Sequence, residues 1–538
     1  MGARERLTRG PAGLVLVLGL FFALAGWNLQ QGRYLHDEGL LTHLFALMAA
    51  RAPAAALFLQ KTRPPISALY APLSGSLELF FWAHITVGAL GVVALWLAAR
   101  ALKHDVPIVG PAILALSPLY IGGSVAGLSN TDAVVGLSVF AWLYATDRRV
   151  AAAALLGMLP WIRAEVGVLA ILLAIWAIRR RAWKELGALP AFGVLYGLAG
   201  IAYHHDPLWF LHYPPALPEP MPDNPYWAEH EGTVRLADLV GTAVALTPVV
   251  PALALVRWQS LRPVERLGLS FCLVFTLALV LLPAWRIFNF DQSPRYLLPV
   301  VPFVALAVGR VAGGFMDEME EPGRFALPIL GVLAVLAYVA ARQAPHPTGL
   351  MAVTVVSLAL TAQRLNGHAL AGVLLGGLAL LGPWVFADGG KIDTRSTVPH
   401  LAQLVEGVGE VVGDQPKVVY TNEPLLALSL QRSGRLPNVT VFYIVQEDQR
   451  FELERLANAH VGQRETLWKA MAPNAYGRPI HPDALRPDTV PIGAVFALTK
   501  DARLPLVMPP ERWDGKLEVV RPGYDAMISL RVEGGRAP

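Results

Sequence analysis

The sequence predicts an α-helical polytopic membrane protein with about thirteen transmembrane helices and a C-terminal soluble α/β domain. Three observations carry that prediction. Of the 538 residues, 54% are hydrophobic and 16% are charged, whereas a soluble domain carries roughly 25% charged residues. The shortfall is uneven: residues 1–386 are mostly long apolar runs, and residues 387–538 are ordinary in polarity. The Lys and Arg residues of the first part fall in short clusters between the runs, where orienting charges belong. The expected domains are therefore 1–386 in the membrane and 387–538 outside it.

A net charge of +4 and a pI of about 9.1 would suggest nucleic acid as a partner of a soluble protein. Here the cations are spent between apolar runs and form no basic stripe, so no nucleic acid is expected. The single cysteine, Cys272, lies inside an apolar run. It excludes a disulfide within the chain and the usual cysteine-based metal sites.

The basic segment Met1–Gly10 and the apolar run Leu14–Trp27 resemble a signal peptide. No small-residue cleavage site precedes the next polar stretch, so this run is expected to stay as the first span. Further spans are predicted near 79–99, 107–123, 131–146, 150–161, 165–178, 186–203, 238–256, 268–285, 296–314, 325–340, 349–363 and 369–386. The two flanking Arg163 are either separate spans or one broken helix, and the charge pattern favours two. Arg4, Arg6 and Arg9 place the N-terminus in the cytoplasm. Every connection that then falls inside carries positive charge, including Arg100/Lys103, Arg148/Arg149, Arg179–Arg181 with Lys184, Arg262/Arg266 and Arg310. The same alternation puts the tail from Ala387 outside, in a multi-pass protein of the inner (plasma) membrane.

The outer connections differ in kind: they gather paired acids, histidines, aromatics and isolated arginines. His36-Asp37-Glu38-Gly39 follows the first span. Adjacent carboxylates repel and raise each other's pKa, so they persist most easily with a cation or a proton-accepting role. Alternatively, Asp37 caps a helix starting at Gly39. Residues 39–57 have the composition of an amphipathic interfacial helix. Lys61 and Arg63, in a turn stiffened by Pro64 and Pro65, suit either a phosphate or lipid headgroups.

Asp132, in Ser129-Asn130-Thr131-Asp132, opens the fourth span, a place equally apt for capping and for projecting a carboxylate into a site. Arg163 and Glu165 sit between the fifth and sixth spans, where they either neutralise each other or serve a site. His204-His205-Asp206 opens a long loop whose spacing permits a metal but whose aromatics better fit an interfacial belt. Arg295-Tyr296 begins the tenth span, with Arg286, Asn289, Asp291 and Gln292 just before. Arg295 either snorkels to headgroups or clamps a lipid-linked phosphate.

These residues, in this order, resemble the GT-C superfamily of membrane glycosyltransferases, in its protein O-mannosyltransferase and lipid A aminoarabinose transferase branch. The motifs are Asp37-Glu38, Lys61-Thr62-Arg63-Pro64-Pro65, Asn130-Thr131-Asp132 and Arg295-Tyr296-Leu297-Leu298-Pro299. The resemblance covers roughly residues 10–390, and the outer C-terminal domain fits it as well. It implies an inverting transfer from a polyprenyl-phosphate-linked sugar to an extracytoplasmic lipid, glycan or protein. Asp37 would be the base, with Glu38 and Asp132 positioning it or a divalent cation (Mg or Mn). Lys61, Arg63, Arg163 and Arg295, with Tyr296, would hold the donor phosphate. No cofactor is otherwise implied, and the Gly-rich phosphate-binding signatures are absent. The expected partners are the lipid-linked donor and membrane lipids.

Residues 387–538 contain strand-like runs at 418–421, 439–445, 494–499 and 526–532, and helical stretches near 397–413, 424–432 and 447–470. Asn422 and Glu423, after the first strand, either cap the next helix or meet a ligand. Two other function classes compete with the enzyme. A transporter or flippase would show internal repeats and mid-membrane ionisable residues. A non-catalytic envelope assembly protein would leave Asp37-Glu38 and Lys61/Arg63 without a shared purpose.

Overall fold

A computed structural model describes residues 10–30, 37–58, 62–209, 261–284, 294–318, 401–414, 417–432, 436–444, 478–499, 510–514, 516–522 and 526–532. Helices α1 (Pro11–Gln30), α2 (Asp37–Arg51), α3 (Pro53–Leu57), α4 (Pro64–Tyr70) and α5 (Leu77–Ala101) come first. Next are α6 (Val109–Leu116), α7 (Pro118–Val125), α8 (Ser129–Ala145), α9 (Arg149–Met158), α10 (Gly167–Arg179), α11 (Trp183–Ala188) and α12 (Ala191–His204). Then follow α13 (Pro263–Ala284), α14 (Val301–Glu318), α15 (Leu401–Val412), α16 (Pro424–Arg432) and α17 (Pro510–Trp513). The expected spans near 238–256, 325–340, 349–363 and 369–386, the helix near 447–470, Lys61 and 286–292 lie outside the described residues, as does the side chain of Asp37.

Among the described residues, three helical stretches are long and apolar enough to cross a membrane: α1, α5 and the 22-residue run Trp183–His204. The 25 residues of α5 reach roughly 37 Å at 1.5 Å per residue, more than the ~30 Å hydrocarbon core. The predicted span at 107–123 is broken. Pro118 has no N–H to give and forces Ser117 into an extended conformation (φ −65°, ψ 120°), which ends α6 and starts α7. Residues Leu119–Val125 then meet α8 at a bend of 117°. The pair flanking Arg163 forms separate helices, because Arg163 itself is extended (φ −142°, ψ 112°) between two 3₁₀ turns.

The chain forms two compact units. One comprises Met1–Gln30, His84–Ala199 and Leu217–Asp393. Three of its connections share one construction. Lys103, Asp147 and Arg181 each adopt a left-handed conformation (φ 58°, 59° and 55°) just past a helix. The residue after each donates its N–H five residues back: His104 to Ala99, Arg148 to Leu143 and Ala182 to Ala177, at 2.8–3.0 Å. That is the Schellman closure, made here without glycine.

Glu265 ties the end of this unit near Lys103 together. It is fully buried, as is His104, whose Nε2 lies 2.8 Å from Oε1 of Glu265. Arg310 donates to both oxygens of Glu265 at 3.1–3.3 Å and to the Leu102 carbonyl at 2.9 Å. The Arg262 N–H adds a 2.6 Å bond at the start of α13, the backward half of a capping box. Burial pushes the Glu265 carboxyl up, but His104, Arg310 and the Arg262 N–H outweigh it and leave its pKa lowered. Burial lowers His104, which Glu265 only partly offsets.

The second unit comprises Gln31–Ala83, Gly200–Ala216 and Thr394–Pro538. Its six-stranded sheet uses β1 (Lys417–Thr421), β2 (Val439–Ile444), β3 (Arg478–Ile480), β4 (Val495–Thr499), β5 (Leu517–Pro522) and β6 (Ala526–Arg531) in the order β3-β2-β1-β4-β6-β5. β3, β2, β1 and β4 run parallel, and β6 and β5 continue antiparallel. The four strands expected from sequence are present; β3 and β5 are additional. Tyr420 stacks between Phe442 and Phe496 at 5.2 and 5.0 Å, within a core that also holds Ile444, Leu498 and Trp513. Glu423 caps α16, its carboxylate accepting from the Leu425 N–H at 3.2 Å.

The helix expected along the membrane surface behaves otherwise. In α2, Leu40, His43, Leu44, Ala46 and Met48 are all fully buried, and the helix packs on α3, α4 and α16. Apolar residues on every side demand cover, and the C-terminal segment supplies part of it. His204 stacks on Trp209 at 5.1 Å, beside Tyr203 and Phe58. The ring of His204 is thus held among aromatics, and the rest of the loop, 210–237, lies outside the described residues.

Candidate active site

In the second unit, Pro64 and Pro65 fix the first turn of α4, and Arg63 must precede them. It does so left-handed, at φ 52°, although a residue before proline prefers extended backbone. Such a conformation costs about 1–3 kcal/mol and persists only where neighbours over-determine it. They do: the Thr62 hydroxyl donates to the Ala56 carbonyl at 2.7 Å, and the Ser67 hydroxyl bonds the Thr62 carbonyl. The turn aims Arg63 at Glu38, with Nη1 2.8 Å from Oε1. Helix α2 begins at Asp37 rather than Gly39, so Asp37 occupies the first helical turn instead of preceding the helix.

In the first unit, α8 brings Ser129, Asn130, Thr131 and Asp132 to its N-terminal turn, all buried. Asp132 Oδ2 lies 3.2 Å from Nε2 of His84, which is itself fully buried on α5. The other imidazole nitrogen, Nδ1, is 2.8 Å from the Ser124 carbonyl. A carbonyl only accepts, so Nδ1 carries a hydrogen. A second proton must then lie between Nε2 and Asp132. His84 was not anticipated as a site residue. Its signal was a lone imidazole seven residues into an otherwise apolar span.

Arg163 reaches the same turn. Its Nε donates to Glu165 Oε1 at 2.6 Å and its Nη1 to the Ser129 hydroxyl at 3.4 Å. Its guanidinium also lies 5.1 Å from the ring centroid of Tyr296. Arg295 approaches that ring too, at 5.5 Å. One phenol face system thus serves two cations, at a 3₁₀ turn running Pro294–Val300. Both amide atoms of Asn130 and the hydroxyl of Thr131 are buried with no hydrogen-bond partner among the described residues.

The structure therefore gathers Asp132, Arg163, Arg295 and Tyr296 in one unit and pairs Glu38 with Arg63 in the other. Three described carboxylates near these residues have cationic partners: Glu38 with Arg63, Asp132 with His84, Glu165 with Arg163. A divalent cation would have to displace one of them, and the described residues contain no group of three or more ligating side chains. The described donors do not fit a metal, and no step below is routed through one.

No family model matches the sequence, and no curated protein matches it. Solved structures do. ArnT from Cupriavidus metallidurans bound to undecaprenyl phosphate is similar over 97% of this chain and 98% of that one, with a TM-score of 0.53 and 15% identity. ArnT from the same organism in the apo state gives 0.51 and 14% over the same shares. At that identity the likeness is one of architecture: this chain has a fold similar to that of ArnT.

Proposed function

We propose that this chain is an inner-membrane glycosyltransferase that moves a sugar from a polyprenyl-phosphate donor to an extracytoplasmic acceptor, with inversion. The observation that carries the proposal is the pair of guanidinium groups, Arg163 and Arg295, on the single ring of Tyr296 beside the α8 N-terminus. Glu165 already pairs with Arg163, and Arg163, Arg295 and Glu165 taken together still carry a net positive charge, which favours a further anion beside them. A lipid-linked phosphate suits that place, and the ArnT neighbour was solved with undecaprenyl phosphate bound.

In this mechanism Asp37 accepts the proton of the acceptor hydroxyl. The resulting oxygen attacks the anomeric carbon from the side opposite the phosphate. The bond from that carbon to the phosphate oxygen breaks, and the polyprenyl phosphate leaves with the electron pair. Lys61, Arg63, Arg163 and Arg295 balance the charge that develops on the leaving oxygen. Glu38 holds Arg63, and His84 holds Asp132, so each keeps its orientation. Lipid delivery of the donor makes a nucleotide-binding domain unnecessary. A transporter or flippase needs no such base.

The test is Asp37→Asn in proteoliposomes supplied with synthetic polyprenyl-phosphate sugars and an envelope extract as acceptor. Transfer is expected to fall by about a hundred- to ten-thousand-fold, the usual contribution of a general base, with insertion and expression intact. Turnover at the wild-type rate would remove Asp37 from the mechanism.

A further inference from the structure

Two inner connections of the first unit face a common cavity of about 620 Å³. One is the turn between α8 and α9, Asp147–Ala151, and the other is the turn between α10 and α11, Arg181–Glu185. Further along, Gly157 lets α9 pack closely on the chain after α11, since a β-carbon there would strike the Leu189 carbonyl. The lining holds Arg148, Arg149, Arg181 and Lys184 against Asp147 and Glu185. The two acids are already used: Asp147 binds Arg149 at 2.7 Å, and Glu185 binds Arg180 at 2.9 Å. Arg148, Arg181 and Lys184 have no ion-pair partner among the described residues. The Arg149 Nε is buried there with no hydrogen-bond partner among them either.

Apolar surface continues from the cations. Trp183, 62% exposed, stands in the cavity wall with the exposed Val150. Ile171, Ile175 and Ile178 are exposed on α10, and their spacing puts them on one face that ends at the Arg181 turn. Of the apolar window in Trp183–His204, only 11% is buried within the protein. Inorganic phosphate would use the cations and leave this aliphatic face unexplained. A molecule with a phosphate at one end and hydrocarbon at the other uses both.

We propose that this cavity binds the headgroup of an anionic phospholipid of the cytoplasmic leaflet. Arg148, Arg181 and Lys184 take the phosphate, Trp183 sits at headgroup level, and the acyl chains lie along Ile171, Ile175 and Ile178. The charge alternation of the sequence assigns both turns to the cytoplasmic side, where basic pockets between helices hold anionic lipids. The site is independent of the transferase chemistry and would exist in a protein of any activity with these turns.

The experiment is native mass spectrometry of the full-length protein in detergent, titrated with phosphatidylglycerol, cardiolipin or phosphatidylcholine, with inorganic phosphate as a separate arm. Each basic residue near an anionic headgroup is worth about fivefold, so R148Q/R181Q/K184Q is expected to weaken phosphatidylglycerol binding on the order of a hundredfold. R148Q and K184Q alone, at exposed positions without ion pairs, are expected to lose about fivefold each with an unchanged melting temperature. They decide the matter if the triple variant fails to insert. Anionic lipid held equally by the variants, phosphatidylcholine bound as tightly as phosphatidylglycerol, or phosphate alone competing at the lipid's own concentration would each overturn the proposal.

Discussion

The first unit contains two buried His–carboxylate pairs with arginine nearby, and they differ in how completely they are satisfied. At one end, Glu265 accepts from His104, Arg310 and the Arg262 N–H, and Arg310 also reaches a backbone carbonyl. At the other, Asp132 meets His84 at the longer distance of 3.2 Å. The neighbouring Asn130 and Thr131 are buried with polar atoms that have no hydrogen-bond partner among the described residues, and two guanidinium groups share one ring. A buried polar group without a partner costs about 1–3 kcal/mol. A network that closes on itself is therefore built to hold helices together. One that leaves donors and acceptors open is built to receive something.

The contrast can be broken in four ways. Glu265→Gln leaves the half-buried Arg310 beside a neutral amide, a loss of up to about 3–5 kcal/mol, the upper end holding for full burial. Its melting temperature in detergent should drop sharply, while folded protein keeps its specific activity. Arg295→Gln should do the reverse: turnover falls by about a hundred- to a thousandfold, the usual worth of one electrostatic donor at a developing charge, with little change in melting. A large stability loss in the second, or an activity loss in folded Glu265→Gln, would merge the two regions into one kind.

Asn130→Leu sharpens the comparison further. If the open amide awaits substrate, replacing it with an apolar side chain of similar size should raise stability by about 1–3 kcal/mol and lower kcat/KM together. Lower stability would mean that Asn130 is structural. The smallest effect concerns pH. His104 and Glu265 both have lowered pKa values in the folded protein. Each then stabilises the fold above its ordinary value and loses that contribution as acid reaches its folded pKa. Thermal stability should decline from just below the imidazole's ordinary 6.5 and again below the carboxyl's 4.5. His104→Asn should erase the first decline and lessen the second, since Glu265 loses one of the partners that lower it, seen by a melting series across pH.

Much of the fold was legible in the residues. The helices α1 and α5 and the four expected strands follow from runs of apolar side chains at helical or alternating spacing, which is local information. Proline breaks are also local, and Ser117-Pro118 could have been read as the interruption it is. Asp132, Arg163 and Arg295, with Tyr296, stood out as candidates because charged groups beside apolar runs are expensive and rarely idle. Glu38 and Arg63 were legible as separate candidates but not as partners.

The sequence by itself determined where the chain is apolar, where it turns, and which residue types stand ready at the helix ends, because those depend on neighbours along the chain. Only the tertiary structure decided which of them meet. It set His84 against Asp132 across 48 positions, and His104 against Glu265 across 161. It also buried α2 in the unit that holds the C-terminal sheet, where an apolar composition alone had suggested a membrane surface. Apolar side chains state that they must be covered, and burial is non-directional. Which surface covers them, and which buried donor finds its acceptor, is settled by packing between segments remote in sequence.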